Sequence, residues 1–330
     1  MVTSRDVARR AGVSQPTVSR VLNGVTTVAP EIRDRVLAAL EETGYVPNAQ
    51  AKAMRAGRSG AIGVVTSEIQ NPFLPYLVDA ITGAARERDL TTVVWNDPDP
   101  SNPMAVAGAA SGIVDGVLVT AARRDIHGVM TMAQRGFPVL LCNRAPEEAP
   151  VDVVTSDHFG SAAASATYLV EHGHRDIAAV FGPPDTFASP ARQKGFRQSL
   201  LAHGVHLPDN RVFSGATSYE SGYRAVRSLF DGGLPDSIFC SSDIIAYGVL
   251  DALAEAGVKV PNDVWVCGID GLPMSGWRSF DLTTHAQDIP HIAAQAVDAL
   301  AARIGGSRTK PVRLELPTTL VVRGSTNHAK

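Results

Sequence analysis

The hydrophobic positions follow two different periods along the chain, and the change occurs near residue 61. Residues 1–45 have apolar positions at helical spacing and no strand pattern, which predicts three short helices. From residue 61 onward, short continuous apolar runs each precede a stretch with helical spacing. Such runs are typical of parallel strands covered by helices on both faces. The strands are predicted at 61–65, 90–95, 115–119, 137–142, 176–181, 237–240 and 264–269.

Helices are predicted between these strands, so the larger part of the chain is an α/β structure. Two sets of strand–helix units, 61–160 and 161–285, fit this pattern better than one very wide sheet. The last helix and the closing strands, 312–316 and 319–323, are then expected to cross between the two sets. The helices are predicted at 72–88, 102–112, 123–135, 159–172, 190–203, 219–231, 243–256 and 289–304.

Residues 4–23, with the sequence SRDVARRAGVSQPTVSRVLN, have the spacing of a helix-turn-helix. Gly12 lies where the turn needs a positive φ, and Ser14 can cap the second helix, whose first turn tolerates Pro16. Val13 is expected to lie between the two helices. The apolar positions expected to pack the helices together are Val7, Ala8, Ala11, Val18, Val21 and Leu22.

The second helix is expected to present a polar face to the outside. Amide, hydroxyl and guanidinium groups suit base recognition in the major groove, because Gln can bond adenine and Arg can bond guanine. An ordinary helical hairpin with a polar solvent face is the alternative, and the glycine turn, cap, apolar spacing and polar face together favour DNA recognition. The predicted DNA contacts in this segment are Ser4, Gln15, Thr17, Ser19, Arg20 and Asn23.

A basic connector rich in small residues follows the three helices, at 48–60. The start of the connector could form a helix of about two turns, which is too short to be stable alone. Such a helix would form only in contact with DNA and a second copy of the segment. Met54 is its only large apolar side chain, and such a residue can wedge into a base step and kink the duplex. A flexible linker with an incidental methionine is the alternative. The connector adds Asn48, Ala51, Met54 and Arg55 to the predicted DNA contacts.

Charge and cysteine content narrow the class of protein. Residues 1–60 carry nine Lys or Arg against five Asp or Glu, a net charge of +4, whereas the other 270 residues net −7. A basic head on an acidic body indicates that only the head meets a polyanion. Three cysteines in apolar surroundings, with no apolar leader and no membrane-spanning apolar run, predict a cytoplasmic protein.

Catalytic signatures are missing from the sequence. G-x-G-x-x-G, G-x-S-x-G, P-loop, H-E-x-x-H and C-x-x-C motifs do not occur, so no enzyme activity, metal or cofactor is predicted. His172 and His174 form an H-x-H at a predicted helix end, where capping of carbonyls is favoured over metal binding. Trp95 and Trp277 could line a cleft, although core or subunit contacts are the favoured assignment.

The sequence resembles the lactose-repressor (LacI/GalR) family of transcriptional regulators over essentially its whole length. This resemblance implies a small all-α helix-turn-helix head, a hinge, and an α/β body of two doubly wound parallel-sheet subdomains that is similar to periplasmic binding proteins. It also implies a homodimer that reads a palindromic operator in double-stranded DNA, and a sugar-like or nucleoside-like effector held between the subdomains. The segments that carry the resemblance are DVARRAGVSQPTVSRVLNG, PEIRDRVLAALEETGYVPN, AKAMRAGRS, IQNPFLPYLVDAI, EHGHRDIAAVFGP, GLPDSIFCSSDIIAYGVLDALAEAGVKVPNDVWVCGIDG and LPTTLVVRGST.

The resemblance also implies which residues are functional. Met54 falls where the family usually has the hinge leucine that wedges the central base step. Ser242 falls where the family often has Asn, and Gly271 where it often has a second Asp. These two changes remove polar groups from the effector site, so the ligand class does not carry over. The family's base-reading positions coincide with Gln15, Pro16 and Arg20. Its effector positions coincide with Phe73, Leu74, Asp157, Arg192, Thr217, Ser242, Asp243 and Asp270. These positions fall at or just beyond predicted strand ends, where open α/β sheets bind ligands.

We therefore expect a DNA-binding regulator, acting as a repressor, whose operator affinity is controlled by the effector. A solute-binding protein without DNA function would lack the basic head, and an enzyme of doubly wound fold would need a catalytic motif. Whether the effector releases DNA or promotes DNA binding stays open. The predicted domains are the head at 1–47, the hinge at 48–60, an N-terminal effector subdomain at 61–160 plus 286–318, and a C-terminal one at 161–285 plus 319–330.

Overall fold

The structure is a computed structural model that describes residues 2–22, 24–45, 58–97, 112–122, 125–230 and 233–327. The chain divides into two compact units, a head that ends at Ser59 and a body that begins at Gly60. The predicted helix at 102–112 lies almost wholly outside the described residues. Within the described ranges, no helix has the length and apolar character needed to cross a membrane.

The head consists of three helices, as predicted: α1 (Ser4–Ala11), α2 (Gln15–Leu22) and α3 (Pro30–Thr43). Gly12 ends α1 at φ 65°, and its N–H bonds back to the carbonyls of the last turn. The core is formed by Val7, Ala8, Ala11, Val18, Val21, Val28, Val36 and Ala39. The prediction for Leu22 was wrong, since its side chain is 37% exposed. Leu22 is the last residue of α2, whereas Val18 and Val21 are buried in the core of the head.

The first sheet of the body has six strands, and all their pairings are parallel. In spatial order the strands are β11 (Arg313–Leu316), β5 (Asp152–Ser156), β4 (Val139–Cys142), β3 (Gly116–Val119), β1 (Ala61–Thr66) and β2 (Thr91–Asn96). β1, β3, β4 and β5 are buried along their whole length. The continuous apolar runs that predicted most of these strands arise because helices cover both faces of the sheet.

The second sheet repeats this arrangement. Its spatial order is β12 (Thr318–Val321), β10 (Thr283–Gln287), β9 (Trp265–Asp270), β8 (Ser237–Cys240), β6 (Ile177–Phe181) and β7 (Val212–Ser214). The β10–β12 pair is antiparallel and the other pairs are parallel. Three strands, β5, β7 and β10, were not predicted individually, because they are short or rich in polar residues. β10, with the sequence TTHAQ, has no apolar run at all.

Seven longer helices cover the two sheets: α4 (Phe73–Arg86), α5 (His127–Gln134), α6 (His158–Glu171), α7 (Ala188–Ala202), α8 (Tyr219–Phe230), α9 (Asp243–Glu255) and α10 (Ile289–Ile304), counted within the described ranges. α4 packs with α10 on the first sheet. On the second sheet, α6 packs with α7 and α8 with α9. One apolar core continues from the α4–α10 layer into the α8–α9 layer, so the body is a single compact unit. We call the first sheet with its helices the first subdomain and the second sheet with its helices the second subdomain.

The chain passes between the subdomains three times, each time at a single residue between two elements. Asp157 joins β5 to α6, Asp288 joins β10 to α10, and Pro317 joins β11 to β12. Both aspartates cap the helix that follows, because Asp157 accepts a hydrogen bond from Gly160 N and Asp288 from His291 N. The three crossings therefore begin or end well-formed elements, and they bring the carboxyl ends of the strands of both sheets toward one cleft.

Candidate functional site

The head presents the polar side of α2 to the outside. Pro16 and Arg20 are exposed, whereas Gln15, Thr17 and Ser19 are half-buried. The Gln15 Nε2 donates to Ser4 Oγ at 2.8 Å, so these two predicted contacts lie side by side. Neither Gln15 nor Arg20 is packed into the core of the head. The side chain of Arg20 can therefore reach a base edge without unfolding any part of the head.

Cations surround this surface. Arg5, Arg9 and Arg10 of α1 are exposed, and two of them form ion pairs at the surface, Arg9 with Asp6 at 3.3 Å and Arg10 with Glu42. Exposed pairs of this kind contribute little to stability, so the guanidinium groups remain available to phosphates. Five further predicted DNA contacts lie outside the described residues: Asn23, Asn48, Ala51, Met54 and Arg55.

A cleft lies between the two subdomains, at the carboxyl ends of their strands. It encloses about 390 Å³, including a part open to solvent. The lining is mostly polar and comes from both subdomains: Asn71, Phe73, Asn143 and Arg144 from the first, and Gly182, Thr186, Ala188, Ser189, Arg192, Thr217, Ser241, Ser242 and Asp270 from the second. Of the eight predicted effector positions, the cleft brings together Phe73, Arg192, Thr217, Ser242 and Asp270.

The centre of the cleft is a buried ion pair between Arg192 and Asp270. The Arg192 Nη2 lies 3.1 Å from Asp270 Oδ1, and both side chains are at least nine-tenths buried. Asp270 also accepts hydrogen bonds from Ser242 Oγ at 2.7 Å and from Gln287 Nε2 at 2.8 Å. Arg192 donates in addition to the carbonyl of Ser241. These bonds hold both charged groups in fixed positions, which suits recognition of a ligand's hydroxyl groups.

The first subdomain contributes amides, one cation and one aromatic ring to the opposite wall. Asn143 follows β4 at φ 73°, and its buried side chain lines the cleft. The guanidinium of Arg144 lies 3.4 Å from Glu68 Oε2. Asn71 Oδ1 accepts a hydrogen bond from the backbone N–H of Phe73, which fixes the start of α4. Each subdomain thus supplies an arginine paired with a carboxylate, so the charges in the cleft balance.

His158 lies beneath the cleft as the first residue of α6. Its Nε2 is 2.9 Å from the carbonyl of Asn143 and its Nδ1 is 3.3 Å from Arg192 Nη2. Burial lowers the pKa of His158 to about 3, and the positive charge of Arg192 acts in the same direction. The ring is therefore neutral at physiological pH.

A second hydrogen-bonded path links the ion pair to the first subdomain. Ser156 Oγ, at the end of β5, donates to Gln287 Oε1 at 2.6 Å, and Gln287 in turn donates to Asp270. Ser156, Gln287 and Asp270 are all buried. This path joins two of the three crossings to the carboxylate that lines the cleft.

Three predicted effector residues do not line the cleft. Leu74 is fully buried in the apolar core, and Asp157 is half-buried and caps α6. Asp243 is also fully buried and accepts four hydrogen bonds, from Gly271 N, Leu272 N, Ser275 Oγ and Thr284 Oγ1. These bonds hold the backbone directly after Asp270, so Asp243 supports the cleft from behind.

Gly271 is required by this arrangement. It has φ 74°, and a Cβ there would lie 2.4 Å from Ala286 Cβ. Its N–H donates to Asp243 Oδ2 at 2.9 Å. The second aspartate that the lactose-repressor family often has at this position therefore does not fit the backbone seen here.

Several cleft residues were missed by the sequence analysis. Asn71, Asn143, Arg144, Ser189 and Ser241 line the cleft, and His158 and Gln287 support it. Asn71 precedes α4, while Asn143, Ser241 and Gln287 come at or directly after strand ends. The position of a polar residue after a predicted strand was thus an available signal for several of them.

The other residues that the sequence analysis named lie outside the cleft. His172 Nδ1 lies 2.7 Å from the carbonyl of Tyr168, which is the expected helix cap, and the rings of His172 and His174 contact Trp265. Cys142, Cys240 and Cys267 are buried and unpaired with each other. Trp277 is largely exposed. No group of three metal-ligating side chains occurs among the described residues.

A larger hollow lies elsewhere on the first subdomain, near the starts of β5 and β11. It encloses about 870 Å³, including open solvent, and its walls are Ala, Pro and Val with Glu147, Glu148 and Arg313. Arg313 is bound to the carbonyls of Pro146 and Glu147. Open α/β sheets bind ligands at the carboxyl ends of their strands, so the cleft is the candidate ligand site of the two.

Comparison with known proteins matches two separate parts of the chain to protein families. Residues 3–48 match the family described as bacterial regulatory proteins, lacI family, and residues 166–326 match a periplasmic binding protein-like domain. The HTH-type transcriptional regulator CelR of Thermobifida fusca is 34% identical over 97% of this chain and 96% of its own length.

Two solved structures extend the comparison to the whole fold. A CelR–cellobiose complex is 33% identical with a TM-score of 0.75, covering 98% of this chain and 100% of that chain. A lac repressor dimer bound to operator and the anti-inducer ONPF is 27% identical with a TM-score of 0.87, covering 98% of this chain and 99% of that one. This chain therefore belongs to the lacI family of bacterial regulatory proteins and is a DNA-binding transcriptional regulator.

Proposed function

We propose that this regulator represses transcription as a homodimer on a palindromic operator, and that a small hydroxyl-rich effector in the cleft controls its affinity for DNA. The observation that carries this proposal is the buried Arg192–Asp270 pair, which lines a polar cleft between two subdomains in a chain that also has a helix-turn-helix head. A solute-binding protein without DNA function is disfavoured by that head.

The base-reading residues of the proposal are on α2. Arg20 is exposed and can bond the O6 and N7 of a guanine, while Gln15 can bond an adenine after releasing Ser4. Ser4, Thr17 and Ser19 are assigned to phosphates or neighbouring bases. The hinge residues Asn48, Ala51, Met54 and Arg55 stay predictions for the minor groove.

The effector class follows from the chemistry of the cleft. Both arginines that line it are paired with carboxylates, so a neutral ligand fits better than a strongly charged one. Amides and hydroxyls from both walls can bond sugar hydroxyls, and Phe73 offers an apolar face for a ring. The relative CelR has been solved with cellobiose, and a neutral sugar or nucleoside is the class that we propose here.

The remaining assignments follow from this function. The proposed subdomains are 61–160 plus 286–318 and 161–285 plus 319–330, behind a head at 1–47 and a hinge at 48–60. The proposed boundaries at 160 and 285 fall inside α6 and β10, a small offset from the crossings at Asp157 and Asp288. A regulator that binds the bacterial chromosome acts in the cytoplasm, and its relatives are named as regulators rather than enzymes.

The operator is the first part to test. The full-length protein is incubated with a pool of random duplexes, and the selected duplexes are sequenced and titrated at several salt concentrations. We expect a palindromic consensus and affinity that falls steeply with salt, because phosphate contacts release counterions.

Arg20→Ala should relax the preference at one position of each half-site, at a cost of about 1–3 kcal/mol. Arg9→Ala is the control. Arg9 is expected to contact a phosphate, and such a contact carries no sequence information, so the consensus should stay unchanged. Binding without any sequence preference would contradict the proposal.

The effector is tested with a panel of D-ribose, D-glucose, cellobiose and adenosine. A compound that binds the folded protein raises its stability by about 2.7 kcal/mol at 100 times its Kd, which a thermal shift detects. Each compound that shifts the melting temperature is then added to the operator titration. The release or strengthening of operator binding distinguishes an inducer from a co-repressor. Absence of any shift across the panel would contradict the proposed effector class.

A further inference from the structure

We propose that His158 couples the effector cleft to the relative position of the two subdomains. Its ring joins Arg192 of the second subdomain to the backbone carbonyl of Asn143 in the first. The inference rests on the proposed function, because it takes Arg192 and Asp270 as the groups that hold the effector. It assigns a positioning role to a side chain that does not itself line the cleft.

The hydrogen-bond partners define the state of the ring. A carbonyl oxygen can only accept and a guanidinium can only donate, so Nε2 must carry the proton and Nδ1 must be unprotonated. The same Nε2 lies 3.3 Å from Thr155 Oγ1, which itself donates to the Asn143 carbonyl at 2.7 Å. A protonated ring would present a second donor to Arg192 and lose this bond. The observed geometry therefore needs a neutral imidazole in one tautomer.

Both ends of this path reach the cleft. Arg192 lies beside Asp270 on one wall, and Asn143 lines the other. His158 directly follows the crossing residue Asp157, so its ring lies close to the pivot about which the subdomains can turn. An effector that pulls on Arg192 or on Asn143 must therefore either carry the other along or break a bond to His158.

The path through Gln287 and Ser156 is independent of this ring. It connects Asp270 to β5 without involving His158. A variant at His158 should thus weaken the coupling between subdomains and leave part of it intact. This gives the test a graded readout rather than an all-or-none one.

Two substitutions separate the two bonds of the ring. In His158→Asn, the amide oxygen can take the place of Nδ1 and accept from Arg192, but the side chain is too short to reach the Asn143 carbonyl. In His158→Gln, the amide nitrogen can take the place of Nε2 and donate to Asn143, while the acceptor for Arg192 is lost. Each variant is therefore the matched control of the other.

The variants are compared with the unaltered protein by calorimetry with D-ribose, D-glucose, cellobiose and adenosine, and by operator titrations with and without each compound that binds. We expect His158→Asn to keep the Kd within about threefold but to reduce the effector-induced change in operator affinity at least fivefold, within the usual range of allosteric coupling. We expect His158→Gln to raise the Kd at least fivefold. Parallel losses of effector affinity and coupling in both variants, or no change in either, would overturn the inference.

A measurement without any effector tests the ring directly. In protein labelled with ¹⁵N-histidine, the His158 signals are identified by their loss in His158→Gln. We expect a neutral ring protonated on Nε2 and unchanged between about pH 8 and pH 5, a range in which an ordinary imidazole titrates. A titrating ring, or a proton on Nδ1, would overturn the inference. If no panel compound binds the unaltered protein, the proposed effector class fails, and this spectrum still tests the two hydrogen bonds of the ring on which the inference depends.

Discussion

At the scale of single residues, the cleft depends on charged groups that have been removed from water. Arg192 and Asp270 are both buried, so each charged group loses several kcal/mol of hydration free energy. Their mutual attraction offsets this loss only if the geometry of the pair is good. Here Ser242, Gln287 and the Ser241 carbonyl complete that geometry. The pair is therefore expected to serve ligand recognition more than stability.

The variant Asp270→Asn tests this view of the pair. It leaves Arg192 buried without its carboxylate, so we expect the free energy of unfolding to fall by about 3–5 kcal/mol. The double variant Arg192→Met with Asp270→Leu should recover much of that loss, because no unpaired charge remains, but should not bind any sugar of the panel. Urea unfolding and calorimetry measure the two quantities. Sugar binding by the double variant would remove the pair from the site.

A buried histidine makes the stability of the body depend on pH. Both ring nitrogens of His285 in β10 lack hydrogen-bond partners among the described residues, and burial lowers the pKa of His285 to about 4. Its pKa is thus lower in the folded chain than in the unfolded one. The unfolded state takes up the proton first as the pH falls below about 6.5, so acidification favours unfolding.

We therefore expect His285→Met to lose part of this pH dependence. From pH 7 to pH 5, the free energy of unfolding of the unaltered protein should fall by about 2 kcal/mol more than that of the variant. Urea unfolding at several pH values between these limits measures the difference. His206→Gln is the control, because His206 is exposed. Equal pH profiles for His285→Met and the unaltered protein would contradict the assignment.

At the scale of elements, helix ends position the functional surfaces. The Thr3 side chain and the Asp6 carboxylate form a capping box at the start of α1, and Gly12 ends α1 so that α2 can turn across it. In the body, Asp157 and Asp288 begin α6 and α10 at two crossings. The caps thus define where α2 begins to present its polar face and where the chain changes subdomain.

The conformation of Gly12 gives a prediction at this scale. Gly12→Ala places a Cβ in the left-handed region, so we expect the melting temperature of the head to fall, with a cost of about 1 kcal/mol. Gly83→Ala is the matched control in the last turn of α4, where a Cβ has no neighbour within 4 Å. It should stabilise the body by up to about 1 kcal/mol. Scanning calorimetry compares the variants. A Gly12→Ala head as stable as the unaltered head would contradict the role of the turn.

At the scale of the whole molecule, two sheets with the same strand order form the body. When the strands of each sheet are counted along the chain, the first five lie in the spatial order 2-1-3-4-5. Such sheets bind ligands beyond the carboxyl ends of their strands. Because the chain crosses from one sheet to the other at these ends, residues distant in sequence, such as Asn143 and Asp270, meet across one cleft.

The division into head and body predicts two unfolding transitions. The head has its own core around Val18, and the body has a separate core that includes Val64. We expect Val18→Ala to lower the melting temperature of the head alone, and Val64→Ala that of the body alone. In each case the free energy of unfolding of that unit should fall by about 2 kcal/mol, because apolar burial is lost. Calorimetry of the full chain shows which transition moves. Coupled shifts of both transitions in either variant would show that the two units unfold as one.

The sequence allowed much of the fold to be predicted, but only part of the site. Continuous apolar runs mark buried parallel strands, so β1, β3, β4, β6, β8 and β9 were found, while the polar strand β10 was not. Thr283 and Thr284 in β10 are buried because their hydroxyls are hydrogen-bonded, a condition that no local pattern reveals. Asp157 and Asp243 looked like ligand contacts, and only the structure shows that one caps a helix and the other holds the backbone after Asp270.

By itself, the sequence determined what depends on neighbours along the chain: the helices of the head, the turn at Gly12, the polar face of α2 and the alternation of strands and helices. Such features follow from local periodicity and backbone preference, which act over a few residues. Only the tertiary structure decided which polar side chains meet. The path from Arg192 through His158 to Asn143 joins three separate elements, and its geometry exists only after the two sheets have come together.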